Sequence, residues 1–325
     1  MVNVSFENGS RCESVSAYAF SGAKNLHAVG FPESLKDIGS GAFSGCNNLE
    51  TVNFGQDSNL VSIGADAFKD CTTSKNIVLP EGSKSIGRSC FYGCKALESI
   101  EIPAGVKVLR GGDTFSGCDK LSSVVLHEGL EEIGDSFVHG AFYDCDLLES
   151  IEIPSSCKKI GSYSFDGCSG LSTLILKEGL EEIGKYAFSG CKIPRLSIPS
   201  TVRKIGDGAF YGNSLTELTL PAGITYGTSV FSRCEELSAL TAVDGVEIIN
   251  TSMFEGCIDL TDVTLPATLK YLAEKCFASC TRTSFTVIKF AGTKAQWDAV
   301  DKHSDWKKDS AQLTKVQCSD GIFDL

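Results

Sequence analysis

The sequence predicts a repeat solenoid, and two observations support that fold class. A phenylalanine recurs at intervals of 21 to 27 residues over most of the chain. Between successive phenylalanines the same features recur in the same order in most intervals: a short alternating apolar stretch, a proline, an Ile-Gly pair and a Phe-x-x-Cys segment. The recurring residues are Phe20, Phe43, Phe68, Phe91, Phe115, Phe142, Phe165, Phe188, Phe210, Phe231, Phe254 and Phe277. Such a sustained period is typical of stacked coils and is incompatible with independent globular domains.

The first element of each repeat is predicted to be a short β-strand. Residues 97–103 read LESIEIP, in which apolar and polar residues alternate as in a strand buried on one face. Pro103 lacks an N–H group and is therefore suited to end the hydrogen-bond ladder between strands. Proline recurs at this position as Pro32, Pro80, Pro154, Pro199, Pro221 and Pro266.

The Ile-Gly pair and the Phe-x-x-Cys segment are predicted to close each coil. We expect the glycine to take a turn conformation with positive φ, which glycine adopts at no steric cost. The pair occurs as Ile38-Gly39, Ile63-Gly64, Ile86-Gly87, Ile133-Gly134, Ile160-Gly161, Ile183-Gly184 and Ile205-Gly206. The phenylalanine, the cysteine and a leucine six residues after the phenylalanine should point inward, so that stacked repeats bury columns of like side chains.

The C-terminal residues depart from the period. We therefore predict a solenoid over residues 1–290 and a capping segment over residues 291–325. Within the cap, Lys294 to Asp301 should form a short amphipathic helix and Leu313 to Cys318 a strand. Trp297 and Trp306 are expected to pack inside the cap instead of contacting a ligand.

Composition excludes several classes of protein. Hydrophobic residues make up 42% and charged residues 22% of the 325 residues, which is typical of a folded chain. The net charge of -12 argues against nucleic acid as a partner. Direct membrane insertion is not expected, because no stretch approaches about 18 consecutive apolar residues. Since the chain starts inside the strand-like VNVSF, we expect a fragment from which a natural N-terminus with any signal peptide was removed.

The fifteen cysteines are predicted to be structural. Fourteen of them fall in repeat columns that carry small apolar residues elsewhere, and only Cys318 falls outside. Free cysteine packs as a small apolar side chain, so we expect mostly free, buried thiols. Disulfides between coils are the open alternative, because the coil spacing lies within the usual Cα–Cα range. The CFYGC and CFASC pairs arise from two coinciding columns, so we predict no metal site and no cofactor.

Catalysis is not predicted. His139 and Cys145 could form a catalytic pair, but a surface histidine on an inserted loop beside a core cysteine is the preferred interpretation. The acidic group Glu128, Glu131 and Glu132 could bind a cation, although a solvated edge is the preferred interpretation. The sequence contains no P-loop, GxGxxG or HExxH pattern. We therefore expect a protein without enzymatic activity.

The outward positions of the strands are the predicted binding site. Extended repeat arrays usually contact partners through the strand face. Ordinary strand-surface composition would also explain this Ser- and Thr-rich face, and both interpretations stay open. A second candidate is the inserted loop at Asp135 to Gly140. The candidate binding residues are Asn53, Val78, Glu101, Val125, Glu152, Ile175, Arg195 and Glu217.

The repeat unit I-x-I-P-x-x-V-x-x-I-G-x-x-A-F-x-x-C-x-x-L resembles the BspA-like class of bacterial leucine-rich repeats from about Val4 to Phe290. The tail, from FAGTKAQWDAV to VQCSDG, resembles the segment that closes such arrays in proteins of anaerobic gut bacteria. Asn213 in a cysteine position, Ser74 in a leucine position and Leu109-Arg110 in place of Ile-Gly are departures from the unit.

The resemblance implies a leucine-rich-repeat right-handed superhelix of about 12 repeats, each roughly 23 residues long. It would carry one short parallel β-strand per repeat on the concave face, and turns or short 3-10 or helical segments on the convex side. The implied function is that of an extracellular or cell-surface adhesin, which binds a host extracellular-matrix protein, another surface protein or a glycan. The alternative is a structural spacer or display stalk for another domain of a larger surface protein.

Overall fold

The computed structural model describes residues 2–7, 9–110, 112–134 and 139–325. The chain forms two compact units, Met1–Glu182 and Ile183–Leu325. Each unit is a stack of coils built from parallel β-strands and turns, with one helix in the described part of the second unit. The predicted fold class, a leucine-rich-repeat solenoid of about 12 turns, is confirmed.

The first unit contains one row of longer strands, which pair in parallel in three separate groups. Ser123 pairs with Ser99 and Val125 with Glu101, so equivalent residues of adjacent coils lie side by side. Glu152 pairs with Ile175 in the same way. The longer strands are Val2–Ser5, Leu26–Gly30, Thr51–Asn53, Ser99–Ile102, Ser123–Leu126, Ser150–Ile153 and Thr173–Leu176.

The strand alternation predicted from the sequence is present. In Ser99–Ile102 the two isoleucines are buried and Ser99 and Glu101 are exposed. The strand ends at the residue before Pro103, as the missing proline N–H requires. Ser150–Ile153 likewise ends at the residue before Pro154. The predicted role of proline at the end of the strand is therefore confirmed.

A second ladder, which the sequence analysis did not predict, runs through the Ile-Gly region. Its strands are only two residues long and end on the buried apolar residue that precedes the glycine. In the first unit they are Ser14–Val15, Asp37–Ile38, Ser62–Ile63, Ser85–Ile86, Val108–Leu109, Glu132–Ile133 and Lys159–Ile160, and Glu182–Ile183 lies where the two units meet in sequence.

The predicted reason for the glycine of the Ile-Gly pair was wrong at most positions. Gly39, Gly64, Gly87, Gly161 and Gly206 do not have positive φ, and Gly134 is an exception with φ of 75°. The glycines are required instead because adjacent coils approach closely. A Cβ on Gly87 would lie 2.3 Å from the backbone nitrogen of Ala65, and one on Gly39 would lie 2.4 Å from that of Ala17.

The interior of the first unit is filled by the phenylalanine column. Successive rings stack with centroids 5.0 to 5.8 Å apart and planes within 10° of parallel. This separation lies within the range favoured by offset aromatic pairs. From Phe43 to Phe165 the rings are fully buried, and the predicted leucines beside them, such as Leu97 and Leu148, are also buried. The core is therefore a continuous stack of equivalent side chains.

The second unit repeats this architecture. Its phenylalanines stack from Phe188 to Phe277 at 5.5 to 5.8 Å, and Trp306 then meets Phe277 edge-on at 6.2 Å. The longer strands are Glu217–Leu220, Ala239–Ala242, Asp262–Leu265, Val287–Phe290, Lys315–Cys318 and Gly321–Asp324. The short strands are Lys204–Ile205, Thr225–Tyr226, Ile248–Ile249, Tyr271–Leu272 and Asp301–Lys302.

Residues 291–325 contain the helix and strand expected there. The helix is Lys294–Ala299, and it begins with a capping box formed by Thr293 and Gln296. Lys315–Cys318 pairs in parallel with Val287–Phe290, and Gly321–Asp324 then returns antiparallel beside it. Trp297 and Trp306 are buried, as predicted.

Candidate binding surface on the strand face

All eight candidate binding residues are exposed. Six of them hold the same outward position in successive coils of the first unit. We call this set the outer column: Asn53, Val78, Glu101, Val125, Glu152 and Ile175. Arg195 and Glu217 belong to the second unit, and Glu217, which pairs with Ala239, takes the first outward position of its strand, not the third position that Glu101 takes. The six residues of the first unit therefore form the coherent part of the predicted site.

The outer column carries large aliphatic side chains that are exposed to solvent. Val78 is 78% exposed, Val125 44% and Ile175 46%. Glu101 and Glu152 separate these three residues along the column. Because Val125 pairs directly with Glu101, each aliphatic side chain has a carboxylate as its neighbour in the adjacent coil. The column therefore alternates apolar and acidic groups.

The strand ladder is interrupted beside Val78. Residues 76–79 form no extended strand, and an isolated bridge between Asn76 and Ser99 keeps the coil in register. Ser74, at the position that carries leucine in other coils, donates its hydroxyl to the Leu49 carbonyl. This irregular coil places the most exposed aliphatic residue of the column next to a break in the sheet.

Two depressions in the surface adjoin Val78. One has a volume of about 390 Å3, and Glu101 and His127 contribute to its wall. The other, of about 700 Å3, lies towards Asn53 and shares Val78 and Glu81 with the first. Together they make a shallow groove beside Asn53, Val78 and Glu101, at one end of the outer column.

Charged residues at the ends of the strands complete the surface. His127 Nε2 lies 2.6 Å from Glu101 Oε1. Lys177 contacts Glu152 and lies 3.8 Å from Glu128, and its hydrogen bond with Glu152 raises the pKa of Lys177. These contacts hold the outer carboxylates on the strand face.

Glu128 is held by the next turn of the chain. Its carboxylate accepts hydrogen bonds from the backbone nitrogens of Ser155 and Ser156, at 3.1 and 3.0 Å. These bonds lower the pKa of Glu128, because they stabilise the charged form. The predicted solvated edge is therefore partly ordered by hydrogen bonds between coils.

Comparison with known proteins identifies the repeat. Overlapping segments over residues 2–111, 56–140, 111–193, 136–241 and 225–296 match the BspA type leucine rich repeat region (6 copies). The chain belongs to the BspA type leucine-rich repeat family. Comparison with curated proteins gives no match.

Solved structures of other leucine-rich repeat proteins support the fold. A leucine-rich repeat protein from Bacteroides ovatus is 26% identical and has a TM-score of 0.77, with 97% of this chain and 86% of that chain covered. A leucine rich cell surface protein from Faecalibacterium prausnitzii is 22% identical and has a TM-score of 0.54, with 93% and 91% covered. The described residues form no helix long and apolar enough to cross a bilayer.

In this BspA type array the repeated cysteine has a role that the sequence analysis missed. The thiol of Cys118 lies 3.2 Å from the Phe91 carbonyl oxygen and donates to it across the coils. The other bonds of this kind join Cys46 to Phe20, Cys71 to Phe43, Cys94 to Phe68, Cys145 to Phe115, Cys168 to Phe142, Cys234 to Phe210, Cys257 to Phe231 and Cys280 to Phe254. The repeated cysteine therefore acts as a hydrogen-bond donor as well as a small side chain.

Two of the three departures from cysteine support this role, and the third, Ala23, lies in the first coil of the column. Asn213 donates its amide to the Phe188 carbonyl at 2.7 Å, and Ser310 donates its hydroxyl to the Phe277 carbonyl at 2.8 Å. Both replacements are donors, and neither is apolar. Asn213 at a cysteine position was the sequence signal that could have revealed this role.

The environment of the buried thiols in the repeated position does not favour nucleophilic chemistry. Burial raises the pKa of Cys94 to about 12 and that of Cys145 well above its ordinary value. His139 Nδ1 lies 2.9 Å from Asp113 Oδ1 and its ring stacks on Tyr143, whereas the Cys145 thiol donates to the Phe115 carbonyl. The structure therefore gives the two members of the hypothetical catalytic pair different partners.

The remaining site predictions concern the thiols, metal binding and the inserted loop. All fifteen cysteines are free, and within the described ranges no group of three or more His, Cys, Asp or Glu side chains could hold a metal ion. Of the predicted insertion at Asp135 to Gly140, residues 135–138 lie outside the described residues.

Proposed function

We propose that this protein binds a macromolecular partner through the strand face of its first unit and has no enzymatic activity. The observation that carries the proposal is the row of exposed Val78, Val125 and Ile175 in the outer column. The partner would be a host extracellular-matrix protein, another surface protein or a glycan. The protein would act outside the cell or on its surface, as the Faecalibacterium relative is described to do.

The second unit offers an internal comparison for this surface. Its equivalent outward positions carry Thr219, Thr241 and Thr264, which pair with one another in register. Threonine is compatible with a solvated pleated surface, so the coil itself does not require an aliphatic residue there. Aligned aliphatic side chains in the first unit therefore need another reason, and a partner that covers them supplies one.

A triple variant, Val78→Ser, Val125→Ser and Ile175→Ser, tests the proposal. The three side chains are exposed, so the variant should fold normally, which circular dichroism and thermal unfolding would check. Binding to arrays of matrix proteins and glycans should fall at least tenfold, because the apolar contacts are lost. Leu147→Ser is the matched control, since Leu147 is 51% exposed in a turn outside the strand face. Unchanged binding by the triple variant would refute the proposal.

A spacer function is the second candidate, and the continuous stack of phenylalanines within each unit favours it. A stack in which every coil is hydrogen-bonded to the next can resist bending without contacting any partner. If this chain bound nothing on the arrays while a flanking domain of a longer protein bound by itself, the spacer would be the better description.

A further inference from the structure

The strand face of the first unit is bordered mainly by negative charge. The outer column itself contributes Glu101 and Glu152 and no cation. The residues directly before and after the strands add further carboxylates and two lysines. The exposed carboxylates of this surface are Glu50, Glu81, Glu98, Glu101, Glu128, Glu149, Glu152 and Glu178, and the lysines are Lys75 and Lys177. A partner that brings positive charge is therefore favoured over a sulfated or otherwise anionic one.

The two outer glutamates can receive a cation from the partner. Their contacts with His127 and Lys177 use Oε1 in both cases, so a ligand cation can approach Oε2. The side chains of Glu101 and Glu152 are 67% and 53% exposed, so both carboxylates can be reached from solvent on the strand face. The existing contacts limit the rotamers of the two carboxylates, which reduces the entropy lost on binding.

The spacing of the column constrains the shape of the partner. Neighbouring strands lie about 4.8 Å apart, so two coils, from Glu101 to Glu152, span about 9.6 Å. A polyproline II segment advances about 9.3 Å every three residues. Two turns of an α-helix advance about 10.8 Å, and a β-strand repeats its facing side chains every 6.6 Å or so. Val78 and Ile175 are four coils apart, or about 19.2 Å. Four turns of an α-helix exceed this length by about 2.4 Å, whereas six residues of polyproline II fall short of it by only about 0.6 Å.

We infer that the strand face of the first unit binds a cationic polypeptide segment in the polyproline II conformation, which lies along the outer column. A lysine or arginine at every third residue faces Glu101 and Glu152. The apolar residues between them cover Val78, Val125 and Ile175. This inference rests on the proposed function and specifies the chemistry of the partner.

Fluorescence anisotropy with a labelled peptide of five Lys-Pro-Pro repeats tests the inference on the full chain. The first comparison peptide carries glutamate in place of lysine. The second has the same composition, but its lysines are gathered in one block, which removes the three-residue period. We expect binding of the regular lysine peptide to be at least about tenfold tighter than binding of either comparison peptide, and to weaken with added salt.

A pair of protein variants tests the role of the glutamates. Glu101→Gln with Glu152→Gln should weaken binding of the lysine peptide about five- to tenfold, because two exposed charge contacts are lost. The matched control is Glu131→Gln with Glu181→Gln. Those glutamates are similarly exposed and lie 3.5 and 3.8 Å from Lys107 and Lys158, but they precede the short strands. The control pair should bind as the unchanged protein does.

The outcomes separate this inference from the proposed function. Equal binding of all three peptides, or unchanged binding by the Glu101 and Glu152 variant, would overturn the inference. If a neutral glycan bound in a manner sensitive to the triple serine variant while the peptides did not bind, the proposed function would stand and the inference would fail. If no matrix protein, glycan or peptide bound to the strand face, both the proposed function and the inference would be contradicted.

Discussion

The repeated cysteine can be explained by its hydrogen-bond donor or by its small apolar side chain alone. These two explanations predict stability differences of opposite sign between serine and alanine variants. Cys118 is fully buried, and its thiol donates to the Phe91 carbonyl, which also accepts from the backbone nitrogen of Cys94 at 3.1 Å. We propose to compare Cys118→Ser with Cys118→Ala. Serine keeps a donor of similar size, and alanine removes it.

The expected difference in stability between the two variants depends on whether the serine hydroxyl finds a hydrogen-bond acceptor. If the position needs a donor, serine at residue 118 bonds to the Phe91 carbonyl as Ser310 bonds to that of Phe277. The serine variant is then more stable than the alanine variant by about 1 kcal/mol, the net value of one hydrogen bond. If the position needs only a small apolar group, the buried hydroxyl has no partner and the serine variant is less stable than alanine by about 1–3 kcal/mol.

Urea unfolding under reducing conditions, followed by circular dichroism, measures this difference in the free energy of unfolding. A thermal scan should separate the two variants by about 2–4 °C for each kcal/mol in a unit of this size. Alanine at least as stable as serine would refute the donor interpretation. Asn213→Ala serves as the positive control, since it removes bonds to the Phe188 and Phe210 carbonyls together.

Three further predictions concern stability. Raising the pH from 8 to 10 should destabilise the fold, because burial raises the pKa of Cys94 to about 12. The stability present below the unfolded-state pKa of about 8.5 is lost as the pH rises towards 12, by about 1 kcal/mol per pH unit for each such thiol between pH 8 and 10. Urea unfolding at several pH values should therefore show a shallower slope for Cys94→Ser, and an equal slope would contradict this reasoning. Ser83→Ala should stabilise the protein by about 1 kcal/mol in thermal unfolding, because the hydroxyl of Ser83 is buried without a partner; a loss of stability would count against it. Gly87→Ala should destabilise by about 1–3 kcal/mol or more, whereas Gly82→Ala, whose added Cβ would lie 3.6 Å from its nearest atom, should unfold like the unchanged protein.

The fold was predictable because every coil of a solenoid uses the same pattern of residues, so the sequence is periodic. The phenylalanine spacing identifies the coil, and the alternation in LESIEIP followed by Pro103 identifies the strand and its end. Each of these signals depends on one residue's own preference. A repeat of such local preferences needs no knowledge of long-range contacts.

The features that the sequence analysis missed depend on contacts between coils. A recurrent glycine is equally consistent with a positive φ and with a close approach of the neighbouring backbone, and only the position of Ala65 beside Gly87 decides between them. A recurrent cysteine is likewise consistent with small size and with donation, until its distance to the Phe carbonyl is known. The short second ladder could not be predicted, because a strand of two residues is too short to show an alternation of apolar and polar residues.

The candidate binding surface was predictable in position but not in organisation. Alternation alone placed Val78, Val125 and Ile175 on the outward face, and all three are exposed. Their alignment with Glu101 and Glu152 depends on the pairing register, and the groove depends on the irregular coil at Asn76. Sequence spacing varies between coils, so it could not supply that register.

The requirements of the coil explain why function can reside in the outer column. Stacked phenylalanines, donors to the phenylalanine carbonyls and glycines beside the adjacent backbone all act inside the coil, so substitutions there cost stability in every repeat. An outward residue such as Val125 meets none of these requirements, and the second unit has Thr241 at the equivalent position. Because the fold does not select the outward residue, its identity is free to follow a partner. The alternation of aliphatic and acidic side chains in the first unit is therefore better evidence about binding than any of the more regular features inside.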